Sequence, residues 1–393
     1  EELFRRTGIQ MLPFNTIYQL TALKRLNPSL LDRARTLLLI PELLRYFLTG
    51  ERHSERTNAS TTQLFNPFLN DWDTSLLDRL DLPRRLFAEV VAPGTGVGSL
   101  LSSVGEEIGL PGLPVIAVGE HDTASAVAAV PAENDDFAYL SCGTWSLLGT
   151  EVAAPVITGR AFAENVTNEI GVGQTFRLLK NITGLWLLQE CRRVWARRGE
   201  APTYEREQRL AKDAAPFRSL IDPDASMFVD PPDMPRQIQT YCRESGQPVP
   251  EKEGAIIRCI LESLALKSRL VLESIEALVE NRFAGLHMVG GGIGNRLLCQ
   301  YTADALGRPV WAGPREATAI GNLLVQLIAA GQIADLRSAR ALVRQSFPVE
   351  VYKPVATEAE RWEQALMRFR QFIALPSRAE PRSTTRTEND ADG

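Results

Sequence analysis

The chain has 393 residues, a formal net charge of −5 and 44% hydrophobic residues. That length points to two domains rather than one core, and the mildly acidic balance argues against a nucleic-acid binder with a basic face. Nucleotide phosphates stay open, because loop amides and a metal hold them without surface cations.

No apolar run reaches the roughly 18 residues that a bilayer span needs, so no membrane association and no secretory signal are expected. The five cysteines are scattered and odd in number, which fits a reducing cytoplasm better than a disulfide scaffold. Cys242 and Cys259 are read as two unrelated free thiols rather than a pair. Residue 1 is Glu, inside a charged, helix-like stretch, which suggests further sequence upstream.

In chain order, residues 16–48 read as helical, with Leu20, Leu23, Leu26, Leu30, Leu37 and Leu43 at three- and four-residue steps. Pro41 suits the first turn of a helix over 42–48, and Gly50 suits its left-handed end. Residues 54–63 read as a polar loop entering a turn of helix, 72–80 as a short amphipathic helix and 93–96 as a loop. Residues 113–118 form an expected strand, followed by Gly119-Glu120-His121-Asp122-Thr123 and an Ala/Ser-lined helix. A hairpin is expected from strands 137–140 and 145–150 around Gly143-Thr144. Residues 180–198 and 253–281 read as long helices. The stretch 286–289 is a strand running into Gly290-Gly291-Gly292 and a helix over 295–306. Strand 309–312, helix 317–330 and a last helix over 357–374 follow. From Pro376 the composition is that of a disordered tail. This order indicates an α/β protein with a boundary near 131–136.

Three places can carry chemistry. At Gly143-Thr144, a glycine after a strand lets backbone amides approach a phosphate and the hydroxyl adds a donor, or the pair is only a turn. Gly290–Gly292 lies between strand and helix, where a helix N-terminus favours anions; a tight turn without a ligand is the alternative. Asp122 can accept a proton from a hydroxyl or cap the helix that follows. His53 and His287 read as structural, and Trp145, Trp186 and Trp195 as core. Asp304 and Glu316 read as orienting helices or capping turns. No zinc spacing is present and no metal ligand is assigned.

Taken together, GEHDTASAVAAVP (119–131), AYLSCGTWSLLGTE (138–151), LLKNITGLWLLQE (178–190) and MVGGGIGNRLLCQYTADALGRPVWAGPREATAIGN (288–322) resemble the FGGY family of carbohydrate kinases. TGIQMLPFNTIYQL (7–20) and TNASTTQ (57–63) fit as well. The His-Asp-Thr triplet, the Gly-Thr-Trp-Ser turn and the Asn-Ile-x-Gly-Leu-Trp run resemble the members that act on L-rhamnulose. The resemblance implies an actin-like (ribonuclease H-like) two-domain ATPase fold. Its first domain would be the remainder at 1–134, its nucleotide-binding domain 135–350, a terminal helix 351–375 and a tail 376–393.

The activity implied is phosphorylation of L-rhamnulose by ATP with Mg²⁺ in the cytoplasm, by a monomer or weak homo-oligomer. L-Fuculose or xylulose, or a non-catalytic derivative of a kinase, are the alternatives. The family pattern makes Asp122 the general base and places His121 and Thr123 along the sugar. It puts Gly143 and Thr144 at the phosphates, Asn181 and Gln189 on the nucleotide, and Gly291 and Gly292 at the adenosine. It also implies an upstream strand with an Asp-x-Gly turn that this chain lacks, so weak or no activity is expected of it alone. Loss of those strands is expected to leave apolar surface exposed. Cys142, where many relatives carry Ser, is expected to be open to oxidation.

Overall fold

Alternating apolar side chains make the stretch Ala138–Cys142 (β1) and Trp145–Val152 (β2) an antiparallel hairpin, with Leu140 opposite Leu148. This computed structural model describes residues 1–200 and 202–373. The expected tail over 376–393 lies outside them. Five more strands join the hairpin: Thr167–Ile170 (β3), Phe176–Thr183 (β4), Leu286–Val289 (β5), Val310–Ala312 (β6) and Glu350–Tyr352 (β7). The seven-stranded order is β7-β6-β5-β1-β2-β4-β3. β5 runs parallel to both β1 and β6, and the remaining neighbours are antiparallel.

Successive residues of β1 point to opposite faces. Ala138, Leu140 and Cys142 join a core with residues of Glu253–Val279, Arg296–Leu306 and Ala359–Ile373. Tyr139 joins Val127, Leu147, Leu179 and Val289 on the other face, under the helices Asp122–Ala128, Ala317–Ala329 and Leu336–Ser346. Helices thus cover both sides of the sheet. The helix 122–128 precedes the boundary expected near 131–136 in sequence, yet packs on this sheet.

Residues 1–116 form short helices and two-stranded ladders around Ile17, Leu20, Leu64, Phe65, Trp72, Leu77 and Leu86, a cluster that also takes in Ile170 of β3. The helical stretch expected over 16–48 is three helices, Thr16–Leu26, Pro28–Arg33 and Ile40–Thr49. Proline lacks an amide and restricts the residue before it, so the first helix stops at Asn27-Pro28. Between the second and third, Leu37 bridges Phe87. Pro41 does occupy the first turn of the third, and Gly50 closes it at φ 76°.

The helix expected over 180–198 is also corrected: residues 180–183 finish β4, paired with β2, and the helix is Trp186–Arg197. Strands β3, β4 and β7 and the helices Tyr204–Asp213, Met234–Glu244 and Leu336–Ser346 carry weak local patterns and were not anticipated. Cys242 and Cys259 are free, as expected, and both are buried. Trp195 is core, whereas Trp145 is 45% exposed and meets Phe14 at 5.5 Å. Asp304 accepts bonds from the Val355 amide (2.8 Å) and Gln300 (2.9 Å), tying its helix to the following segment. Glu316 precedes Ala317–Ala329 without a side-chain cap bond.

Candidate active site

The turn 119–122 is tethered along its backbone. Glu55 Oε2 accepts the Glu120 amide (3.0 Å), and Thr57 Oγ1 accepts the His121 amide (3.2 Å). Ser125 Oγ donates to Gly119 O (2.6 Å), and Thr318 Oγ1 donates to Asp122 O (3.2 Å). Glu55 is fully buried and also caps the helix Arg56–Ala59 through the amides of Thr57 and Asn58.

Asp122 is the first residue of its helix, not the cap. The capping position is His121, which makes no side-chain cap bond. The Asp122 side chain is 78% exposed. Its Oδ1 accepts the Thr123 amide (2.6 Å) and hydroxyl (3.3 Å). Thr123 itself is buried.

His121 faces a buried ion pair. Arg177 on β4 and Glu169 on β3 are register partners, with Nη2 to Oε2 at 2.9 Å. His121 Nδ1 lies 2.8 Å from Arg177 Nη2 and 3.2 Å from Glu169 Oε2, and Nε2 lies 3.6 Å from Asp122 Oδ1. Burial pushes the Glu169 carboxyl up, but the Arg177 guanidinium beside it more than offsets this and holds the group below the usual range.

Beneath the turn sit three buried carboxylates and one guanidinium. Glu42 accepts the amides of Leu39 (2.7 Å) and Glu55 (2.9 Å), and Arg45 Nε meets Glu120 Oε1 at 3.1 Å. One cation cannot neutralise three anions in this setting. Burial therefore raises Glu42 to about 7, Glu120 to about 8 and Glu55 in the same direction.

The second half of the site lies at the carboxyl ends of β1 and β5. Ser141 pairs with Val289, so Gly143-Thr144 and Gly290–Gly292 leave the sheet side by side. The Gly143 amide donates to Trp145 O (2.9 Å), and the exposed Thr144 hydroxyl donates to Gln189 Oε1 (3.2 Å). Gly290 has φ 92° and donates its amide to Pro314 O, before the helix whose Thr318 meets Asp122. The structure therefore gathers Gly143, Thr144, Gln189, Gly291 and Gly292. Asn181 lies on β4, where its backbone and side-chain nitrogens both donate to Gln10 Oε1 at 3.1 Å.

Cys142 is 1% exposed and burial pushes its thiol up to about 12, which overturns the expected sensitivity to oxidation. His287 is stacked on Trp311 at 4.8 Å and fits the structural role expected of it.

Glu55, Thr57, Glu169, Arg177 and Thr318 were not anticipated as site residues. Thr57 falls in the 57–63 stretch and Thr318 in the 288–322 stretch that carried the resemblance, which was the available signal for those two. Among the described residues no three His, Cys, Asp or Glu side chains gather to hold a metal, and no helix is long and apolar enough to cross a membrane.

The N-terminal domain of the FGGY family of carbohydrate kinases matches residues 1–129, and its C-terminal domain matches residues 138–330. The rhamnulokinase of Bacteroides thetaiotaomicron is 47% identical over 95% of the chain and 76% of that protein. The rhamnulokinase of Enterococcus faecalis is 43% identical over 94% of the chain and 74% of that protein. Among solved structures, xylulose kinase from Rhodospirillum rubrum superposes with a TM-score of 0.72 at 19% identity, over 95% of this chain and 74% of that one. Plasmodium falciparum glycerol kinase with ADP gives 0.73 at 14% identity, over 95% and 75%. The fold is the two-domain, actin-like α/β fold of these sugar kinases.

Proposed function

The chain belongs to the FGGY family of carbohydrate kinases, and from that premise we propose that it transfers the γ-phosphate of ATP to L-rhamnulose, giving L-rhamnulose 1-phosphate, with Asp122 as general base. The relatives at 43% and 47% identity support the choice of sugar. An open, uncapped carboxylate on a fully tethered turn carries the choice of base.

Phosphoryl transfer needs positioning, charge compensation and a base beside the attacking oxygen. The sugar hydroxyl loses its proton to Asp122 as its oxygen bonds the γ-phosphorus, and the bond to the bridging oxygen breaks to release ADP. His121 and Thr123 flank Asp122 on the sugar side. The Thr144 hydroxyl and the Gly143 turn meet the phosphates, Gln189 and Asn181 hold the nucleotide, and Gly291 and Gly292 admit the adenosine. Mg²⁺ would enter this reaction with the nucleotide, the Thr144 hydroxyl and the Gly143 turn facing the phosphates that carry it. When bound it neutralises phosphate charge. We place the domain division at residues 131–136, the site between the two parts, and the protein in the cytoplasm as a monomer or weak homo-oligomer.

The test is ADP release with ATP and a panel of L-rhamnulose, L-fuculose and D-xylulose, with the product identified by ³¹P NMR even where turnover is slow. L-Rhamnulose is expected to give the highest kcat/KM. A higher value for another ketose would replace the sugar and leave the class intact, whereas no phosphorylated ketose at all would favour the non-catalytic derivative of a kinase. Asp122→Asn is expected to lower kcat by about 10²- to 10⁴-fold with the ATP KM little changed. Unchanged turnover would refute the base assignment.

A further inference from the structure

We propose that Glu169 and Arg177 are positioning residues of the phosphoryl-transfer site: they hold His121 as the Nε2–H tautomer, which loads Oδ1 of Asp122 and leaves Oδ2 to take the substrate proton. The proposal rests on Asp122 being the base.

A guanidinium only donates hydrogen bonds. Its 2.8 Å contact with His121 Nδ1 therefore requires a lone pair on Nδ1. Arg177 Nη2 carries two hydrogens; one serves Nδ1 and the other Ile170 O at 3.4 Å, while Glu169 Oε2 lies alongside at 2.9 Å as the ion-pair partner. With Nδ1 accepting, the proton of the neutral ring sits on Nε2. That atom is 3.6 Å from Asp122 Oδ1, a contact of the kind that tightens when substrate binds.

Oδ1 already has two donors, the Thr123 amide and hydroxyl, and the imidazole 3.6 Å away becomes a third as the site closes, while Oδ2 is left for the sugar hydroxyl. Glu169 has a separate part. It balances the Arg177 charge in a place where neither side chain reaches solvent, Arg177 being 0% and Glu169 5% exposed. The pair lies across adjacent strands, so the sheet register itself sets the distance to the imidazole.

The first measurement is ¹⁵N NMR of histidine-labelled wild-type protein, whose three histidines are assigned by single substitutions of His53 and His287. His121 is expected to show an unprotonated Nδ1 and a protonated Nε2. A proton on Nδ1 overturns the proposal, whatever the variants do. Arg177→Met is expected to move that proton to Nδ1, facing Glu169, and to lower kcat at least about tenfold while sparing the ATP KM. Because Arg177→Met leaves a buried carboxylate unpaired, the double variant Glu169→Gln/Arg177→Met accompanies it, with no unpaired charge. A folded double variant with wild-type kcat also overturns the proposal. Asp122→Asn separates the two readings. If it keeps full turnover the base assignment fails, and if it is inactive while the double variant is fully active only the positioning role fails.

Discussion

Two adjacent glycines in the loop after β5 are there for different reasons. A methyl group on Gly292 would lie 2.4 Å from Cys142 Sγ and 2.7 Å from the Cys142 carbonyl oxygen, while one on Gly291 meets nothing within 4 Å. Gly292 lets the loop close on β1, and Gly291 keeps the outer face of the loop open. Gly292→Ala should therefore cost about 1–3 kcal/mol through overpacking, read as a lower urea midpoint, and should raise the ATP KM. Adding Cys142→Ala should restore only part of the loss, because the carbonyl contact remains. Gly291→Ala should change stability by less than about 0.5 kcal/mol. Equal midpoints for both single variants would show that the loop does not lean on Cys142.

Between elements, the closest approach is that of Ala317–Ala329 on Asp122–Ala128. A methyl group on Gly321 would lie 1.7 Å from Ser125 O. The Ala and Ser residues of the shorter helix and a glycine on its partner let two backbones touch. That contact keeps Thr318 within reach of the Asp122 carbonyl. Gly321→Ala must push the helices apart. Its expected signature is a lower midpoint, by about 1–3 kcal/mol, together with a lower kcat, since the turn bearing Asp122 shifts with its helix. A fall in stability with unchanged kcat would mean that the turn is held by Glu55 and Thr57 alone.

Across the whole molecule, stability should depend on pH in a direction set by the buried carboxyls. Glu42 rises to about 7, Glu120 to about 8 and Glu262 to about 7, each chiefly through burial. A carboxyl raised in the folded state favours folding fully below its unfolded value of 4.5, and that contribution is lost as pH rises through the folded value. Carboxyls held low, such as Asp73 beside Arg6 and Glu169 beside Arg177, act in the opposite sense only at more acid pH. The melting temperature should therefore fall between about pH 5 and pH 8.5, and Glu120→Gln should flatten that slope. A melting temperature that climbs over this range would show that Arg45 keeps the cluster ionised.

The chain by itself determined the features written in short stretches: the β1–β2 hairpin around Gly143-Thr144, the glycine run after β5, and an aspartate where a strand turns into a helix. Each follows from backbone freedom and apolar periodicity over a few residues, so no distant partner is needed to read it. Only the tertiary structure decided that Glu55 and Thr57 hold the Asp122 turn, that Gln10 takes up Asn181, and that Glu169 and Arg177 face His121. Those partners lie 56 residues apart for Arg177 and His121, and 171 for Gln10 and Asn181. A charged residue inside a strand reads locally as a surface position. It becomes a buried partner only once the register of two strands and the seat of a separate turn place opposite charges together. The same physics explains residues 180–183, whose apolar spacing suits a helix until pairing with β2 claims them. The Asp122 of the sequence was thus a residue with two readings, a cap or a base. Packing removed the first by leaving it outside the capping position with its carboxylate open.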